Sequence, residues 1–269
     1  IRNSGFELQL DGRIIDRAVK WDLGVNFSLN RSKVLVLSED KDIFGGELDN
    51  TILKDQLNLM RVGEPMYVFY GYVEDGYDEN GHIVYKNMDD DPAITAADKT
   101  IIGDPNPDFL VNLTTAVSYK GFTLSAFFQS SIGNDIYSLS MAAQAYDYGY
   151  NGNTLREVYY NRWTLENPTA KYPNLDQTSY KMSDRFVYDG SFVRLKNLEL
   201  AYDVPCARNK FIKRARVYVS AQNLFTITSY PFWDPDINAN GGGSSMIQGV
   251  DSYCYPSARI YTIGCRLTF

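Results

Sequence analysis

The sequence is poorest in the residues that carry most protein chemistry. Its 269 residues include one histidine, His82, so histidine metal clusters and histidine-based catalytic triads are nearly excluded by count. Three cysteines, Cys206, Cys254 and Cys265, are an odd number without CxxC spacing, which suggests neither a disulfide framework nor a zinc site. Cations are outnumbered, 26 Lys and Arg against 33 Asp and Glu, and they are scattered. A nucleic-acid surface, which needs clustered cations, is therefore not expected. No apolar run approaches the length of a membrane helix. The opening "IRNSGFELQL" lacks an initiator Met, a charged leader and an apolar leader core, so either a signal lies upstream or the sequence is a piece of something longer.

What the chain has in excess is aromatic side chains, 21 Tyr and 14 Phe. They sit in a pattern of period two. Seven segments alternate apolar and polar residues, as half-buried strands do: 6–10, 21–30, 109–119, 122–130, 191–203, 215–225 and the terminal stretch from Tyr261 to Phe269. In 21–30, Trp21, Leu23, Val25, Phe27 and Leu29 oppose Asp22, Gly24, Asn26, Ser28 and Asn30 without an error. Phe127 breaks the alternation of its segment. In "SFVRLKNLELAYD" the phase changes between Leu195 and Leu198, which predicts a bulge near Asn197.

Short connections at 12–20, 119–122 and 204–214 alternate with long ones at 31–108, 131–190 and 226–257. An antiparallel up-and-down meander with that habit puts its tight turns at one end and its large loops at the other. Strands of about ten residues match the 9–11 that cross a bilayer when tilted, and a mean hydropathy of −0.31 does not oppose this, because barrel strands are apolar on one face only. A soluble β-sandwich acting as a carbohydrate-binding module is the alternative, since seven alternating strands suit that fold as well. A β-rich hydrolase is disfavoured by the lone histidine and by the lack of a nucleophile motif.

Several stretches resemble the C-terminal part of SusC/RagA-type TonB-dependent outer-membrane transporters. They are "IRNSGFELQL" with "WDLGVNFSLNRSKV", "GEPMYVFYGYVEDG", "IIGDPNPDF", "YKGFTLSAFFQSSIGNDIY", "SFVRLKNLELAYDVP", "VYVSAQNLFTITSY" and "YPSARIYTIGCRLTF", in the family's order and spanning essentially the whole chain. The resemblance implies residues 1–269 of a β-barrel in the cell outer membrane, with a plug domain and N-terminal strands lying outside this sequence. It also implies a SusD-like surface lipoprotein as a lid, TonB engaged through the absent N-terminal region, oligosaccharide or peptide cargo, outer-membrane lipid around the barrel, and no enzymatic activity. An aromatic last residue such as Phe269 resembles the signal read by the barrel assembly machinery.

The long loops carry the candidate binding residues. Tyr148, Tyr159, Trp163 and Trp233 offer flat faces of the kind that stack on sugar rings, although ordered loops also need aromatics for packing. "NMDDDPAITAAD", 87–98, has calcium-loop spacing, with Asn87, Asp89 and Asp91 at positions 1, 3 and 5, Ala93 offering a carbonyl at 7 and Asp98 closing at 12. Pro92 stands where a sharp turn wants Gly, and Asp98 where a bidentate Glu is usual, so a solvated acidic loop is the competing reading. No cofactor is required by the reading as a whole. "NGGGSS" at 240–245 reads as a loop rather than a phosphate cradle. Carboxylate pairs such as Asp234 and Asp236 could suggest glycoside chemistry.

Overall fold

A computed structural model describes residues 1–49, 53–146, 153–206, 211–237 and 246–269. Seven strands form one sheet: β1 (Arg2–Asp16), β2 (Val19–Lys33), β3 (Phe109–Tyr119), β4 (Phe122–Ile132), β5 (Phe192–Val204), β6 (Arg214–Thr228) and β7 (Ile260–Thr268). Their spatial order is their chain order, and every neighbouring pair is antiparallel. The sheet is thus a simple meander. The sandwich alternative fails here, because a sandwich needs a second sheet packed on the apolar face.

β1, β2 and β6 run to 15 residues each, longer than the periodic cores of their sequences. Their ends carry charged residues that break the alternation without breaking the ladder. The predicted bulge is present. The pairing of β5 skips Lys196 against both neighbours, between Leu195 and Asn197, and on β4 the shift falls between Phe127 and Phe128. Phe127 lies opposite Asn197, on the face away from Phe128, beside the bulged residue of β5. At the turn between β3 and β4, Lys120 (φ 46°) and Gly121 (φ 85°) both adopt left-handed backbone, the two-residue hairpin geometry that follows strand twist.

Register sorts the side chains into two faces. One apolar row runs Leu10, Val25, Leu113, Phe128, Leu195, Phe225, and a second runs Trp21, Val117, Leu124, Leu200, Val219, Ile263. Much of this face has no protein cover: Phe6 is 57% exposed, Leu124 48% and Ile263 86%. The indole of Trp21 nevertheless has a partner, donating to Thr115 Oγ1 at 2.9 Å. Aromatics bracket the band. Phe6, Phe27 and Phe109 form a ladder near the long loops (centroids 6.3 and 5.8 Å apart), and Phe122 packs on Tyr202 at 4.5 Å near the tight turns. The 11 residues of β3 cover about 33 Å along the strand, or about 25 Å of bilayer thickness at the usual tilt.

The opposite face is polar. One row reads Gln9, Asn26, Asn112, Gln129, Arg194, Thr226. Gly264 lies on this face under the ring of Tyr218, where an added Cβ would come within 2.4 Å of the Tyr218 ring.

The main hydrophobic core is not in the sheet. Leu53, Leu57, Phe69, Tyr137, Met182, Phe186, Ile247 and Val250 belong to a cluster built from the three long connections, 34–108, 133–191 and 229–259. Short strands give this layer its frame: a four-stranded sheet of 43–44, 58–60, 68–71 and 100–103, and a three-stranded one of 135–138, 187–189 and 250–251. Two short helices, Leu139–Tyr146 and Arg156–Tyr160, complete it.

Candidate functional site

The polar face and the loop layer meet at one end of the strands, and the space between them is the candidate site. A cavity of about 520 Å³ lies there, lined from the strands by Asn112, Gln129 and Ser131 and from the loops by Asn106, Asn134 and Gln248. Asp236 is the one charged residue in its lining. A second cavity of about 610 Å³, over the polar faces of β1 and β2, shares Met66, Asn106, Pro107 and Leu110 with the first. Together they make a belt rich in amides and hydroxyls, to which the second cavity adds the carboxylate of Glu7. The amides and hydroxyls of the first donate and accept hydrogen bonds without imposing a charge.

Arg194 fixes the third loop to this belt. It is 1% exposed, at the loop end of β5. Its Nε donates to Thr226 Oγ1 at 2.9 Å, and Nη1 to Asp236 Oδ2 and Ser257 Oγ, each at 3.3 Å. Its Nη2 donates to Asp234 Oδ1. Asp234 also accepts from the backbone N–H of Asp236 and of Ser257, each at 2.9 Å. Burial alone would raise the Asp234 carboxyl. The two N–H donors and the guanidinium outweigh it and hold the group below the ordinary range. Asp234 and Asp236 are accordingly partners of one arginine, which removes the sequence hint of a glycosidase pair.

Three further clasps join the loops. Glu74 of the first receives Arg185 Nε at 2.8 and 3.0 Å and Ser183 Oγ at 2.7 Å from the second. Asn58 Nδ2 donates to Tyr67 O at 2.8 Å and to Gln248 O at 3.0 Å, tying the first loop to the third. Tyr230 Oη donates to Asp251 Oδ2 at 2.5 Å and lies 2.9 Å from Ser138 Oγ, tying the third to the second. Burial, and then the bond to Asp251, push the Tyr230 hydroxyl well above its ordinary value.

The sequence-predicted site residues separate. Tyr159 is 49% exposed, edge-on to Tyr160 at 5.4 Å, with the Arg162 guanidinium 4.2 Å from its ring centre. Trp233 is 56% exposed, stacks on Phe232 at 4.8 Å and borders a recess of about 350 Å³ beside Arg194 and Ser257. Trp163 is buried, with Gly81 pressed against its indole, so it packs the loop layer instead of presenting a face. Tyr148 lies outside the described residues. Of the other loop tyrosines, Tyr146 is buried and stacks on Tyr180 at 3.8 Å, while Tyr255 is exposed.

In the 87–98 loop, each acceptor turns back on its own backbone. Asn87, Asp89 and Asp91 accept from the N–H groups of Asp89, Asp91 and Ala93, at 3.0, 2.8 and 3.0 Å. Asp98 accepts from Met88 and Thr95, both at 2.7 Å, and caps the turn Ala96–Asp98. These bonds hold its carboxyl below the ordinary range. Among the described residues, no group of three His, Cys, Asp or Glu side chains is placed to hold a metal ion. Pro92 offers the physical reason at this loop, since its fixed negative φ denies the sharp turn that would draw the ligands inward.

A one-sheet meander with an uncovered apolar band, aromatic borders and a polar inner face is part of the wall of a transmembrane β-barrel. The comparisons with known proteins agree. No protein-family profile matches the chain. Along its whole length, however, it is 31% identical to TonB-dependent receptor P3 of Formosa agariphila and 27% identical to TonB-dependent receptor SusC of Bacteroides thetaiotaomicron. The solved RagAB peptide importer in its "closed-closed" state matches 99% of the chain with a TM-score of 0.82 at 25% identity. A second structure, of the RagAB peptide transporter, matches with 0.79 at 26%. The chain spans 29% of receptor P3, 26% of SusC and 29% of each matched RagAB chain. It belongs to the SusC/RagA-type TonB-dependent receptors, whose members are outer-membrane β-barrels and not enzymes.

Sequence reasoning missed Arg194 and the Asn112–Gln129 pair, and it read Asp234 as half of a carboxylate pair and not as the partner of an arginine. A signal existed for Arg194, a cation in a row otherwise made of amides and a hydroxyl. Nothing local paired it with Asp234.

Proposed function

We propose that this segment forms part of the wall and outer rim of a TonB-dependent importer whose cargo is an uncharged, polar oligomer, with oligosaccharide the leading class. The observation that carries the reading is the first cavity, lined mainly by amides and hydroxyls, whose one charged lining residue, Asp236, is already bonded to Arg194. Neutral amides exchange hydrogen bonds with sugar hydroxyls at little desolvation penalty, whereas a charged cargo would find no counter-charge there. Tyr159 and Trp233, two of the exposed loop aromatics, are the proposed stacking contacts. A SusD-like lipoprotein would close over the loop layer, and TonB would supply energy through parts of the polypeptide outside this chain. A peptide cargo is the second reading, favoured by the similarity to the RagAB peptide importer.

The test incubates the full polypeptide, in detergent, with a ladder of neutral oligosaccharides and with a mixed peptide library. Bound species are identified by mass spectrometry. Oligosaccharide capture, weakened about tenfold in Trp233→Ala by loss of a stacking face, is the expected result. Selective capture of peptides, or of charged glycans over neutral ones, would overturn the reading.

A further inference from the structure

Above the apolar band, the outward face changes character on one strand pair. The last apolar row on β1 and β2 is Phe6 opposite Leu29. The same-face positions beyond it are Ser4 opposite Arg31, then Arg2 opposite Lys33, and all three cations are exposed. Ser32, one residue away on the other face, accepts from the Met66 N–H at 3.2 Å inside the loop layer, which confirms that Arg31 and Lys33 point outward. Arg31 begins about 7 Å along the strand from the last apolar row, the depth at which acyl chains give way to headgroups. Asp108 is the acid that faces this group, 2.7 Å from Arg31, and both members of that pair are half-exposed. On β3 the residue level with Arg31 is Pro107, which is uncharged, and the last apolar row of Phe6 and Leu29 continues through Phe109 and Ile132. In a chain of net charge −7, three outward cations on adjacent strand ends are a local inversion of sign.

We propose that Arg2, Arg31 and Lys33 form a docking site for a phosphorylated lipid headgroup in the leaflet on the loop side. Its acyl chains would lie along Phe6, Leu8, Phe27 and Leu29. Guanidinium forks suit phosphate oxygens, and each Lys or Arg near an anionic membrane surface adds to the attraction. Asp108 limits Arg31 to a partial share while leaving it held in place. The inference rests on the apolar face meeting lipid and is independent of which cargo the barrel carries.

The experiment is native mass spectrometry of the full polypeptide in detergent, titrated with diphosphorylated lipid A, with its phosphate-free counterpart and with phosphatidylcholine. Retention of the phosphorylated lipid is expected to fall about tenfold or more in the combined variant Arg2→Gln, Arg31→Gln, Lys33→Gln. Lys120→Gln at the opposite rim is expected to behave as wild type, and an unchanged gel shift before and after boiling establishes that the variants fold. Wild-type retention should also weaken as salt is raised, a measurement that needs no variant. Equal retention by the combined variant, equal retention of the phosphate-free lipid, or displacement by inorganic phosphate at matched concentration would each overturn the proposal. So would self-association of the polypeptide that the three substitutions abolish without altering lipid retention.

Discussion

Replacing Arg194 with Met tests whether the third loop is held by one buried ion pair. The side chain is nearly the same length, so the packing against the Phe192 ring, 5.2 Å from the guanidinium carbon, is largely kept while all the donors are lost. Asp234, 7% exposed, is left with the N–H groups of Asp236 and Ser257 and no counter-charge. Removing one member of such a pair costs about 3–5 kcal/mol, because the remaining charge stays buried. Read as local opening of residues 229–259, that is about a hundredfold or more in amide exchange, measured on the full polypeptide with the rest of the sheet as internal reference. The pH dependence carries the sharper sign. In the wild type the folded-state value of Asp234 is depressed, so its contribution is present above the ordinary carboxylate range and is lost as pH falls through the depressed value. In Arg194→Met burial is less opposed, the carboxyl moves upward, and acidification relieves the cost by neutralising it. Loop protection should therefore fall on acidification in the wild type and rise in the variant, and Asp234→Asn added to Arg194→Met should restore much of it at neutral pH. Unchanged exchange in 229–259, or the same pH trend in both proteins, would refute the reasoning.

Gly264→Val is expected to reduce the heat-shifted, folded fraction on unboiled gels, since its side chain meets the Tyr218 ring, and Tyr218→Ala in the same chain should recover that fraction. Leu113→Arg, midway along β3 on the outward face, should destabilise the barrel by about 2–4 kcal/mol in denaturant titrations in lipid, against about 0–1 kcal/mol for an Arg placed at the interface. Calcium titration is expected to leave the exchange of 87–98 unaltered, because Asp98 is already committed to Met88 and Thr95; protection of that loop by calcium would show that the Asx turns rearrange.

The strands were legible because their information is local. Alternation in a ten-residue window states which side chains share a face, and a change of phase marks a bulge, as Leu195 and Leu198 did. Phe127, the one misfit in its segment, lies beside the bulge of β5, a coincidence that the alternation alone did not explain. The loop layer was illegible for the converse reason. Its clasps join residues far apart in sequence: Asn58 with Gln248, Glu74 with Arg185, Ser138 with Tyr230. No window contains both partners, and their residue types are those of any polar loop. The aromatics were ambiguous for a related reason. Trp163 and Trp233 look alike in sequence, and the difference lies in Gly81, whose missing side chain makes room for one indole and not the other.

That division has an energetic meaning. In most domains the sheet face supplies the core, whereas here the outward face must be covered by lipid and the inner face is polar, so neither can hold the chain together in water. The buried apolar cluster lies in the loops, where Phe69, Tyr137 and Phe186 are almost fully enclosed. Loops of this length would otherwise be mobile; their described residues carry a core of their own and bind one another through buried polar clasps. Rigidity at the rim and solvation of the wall are thus separate problems with separate residues, and Arg194 is where they meet: it sits on a barrel strand, faces the lumen, and spends its charge on the third loop. A change in detergent or lipid should therefore shift the stability of the sheet while leaving exchange protection around Phe69 and Phe186 nearly constant. A change at Arg194 should do the reverse.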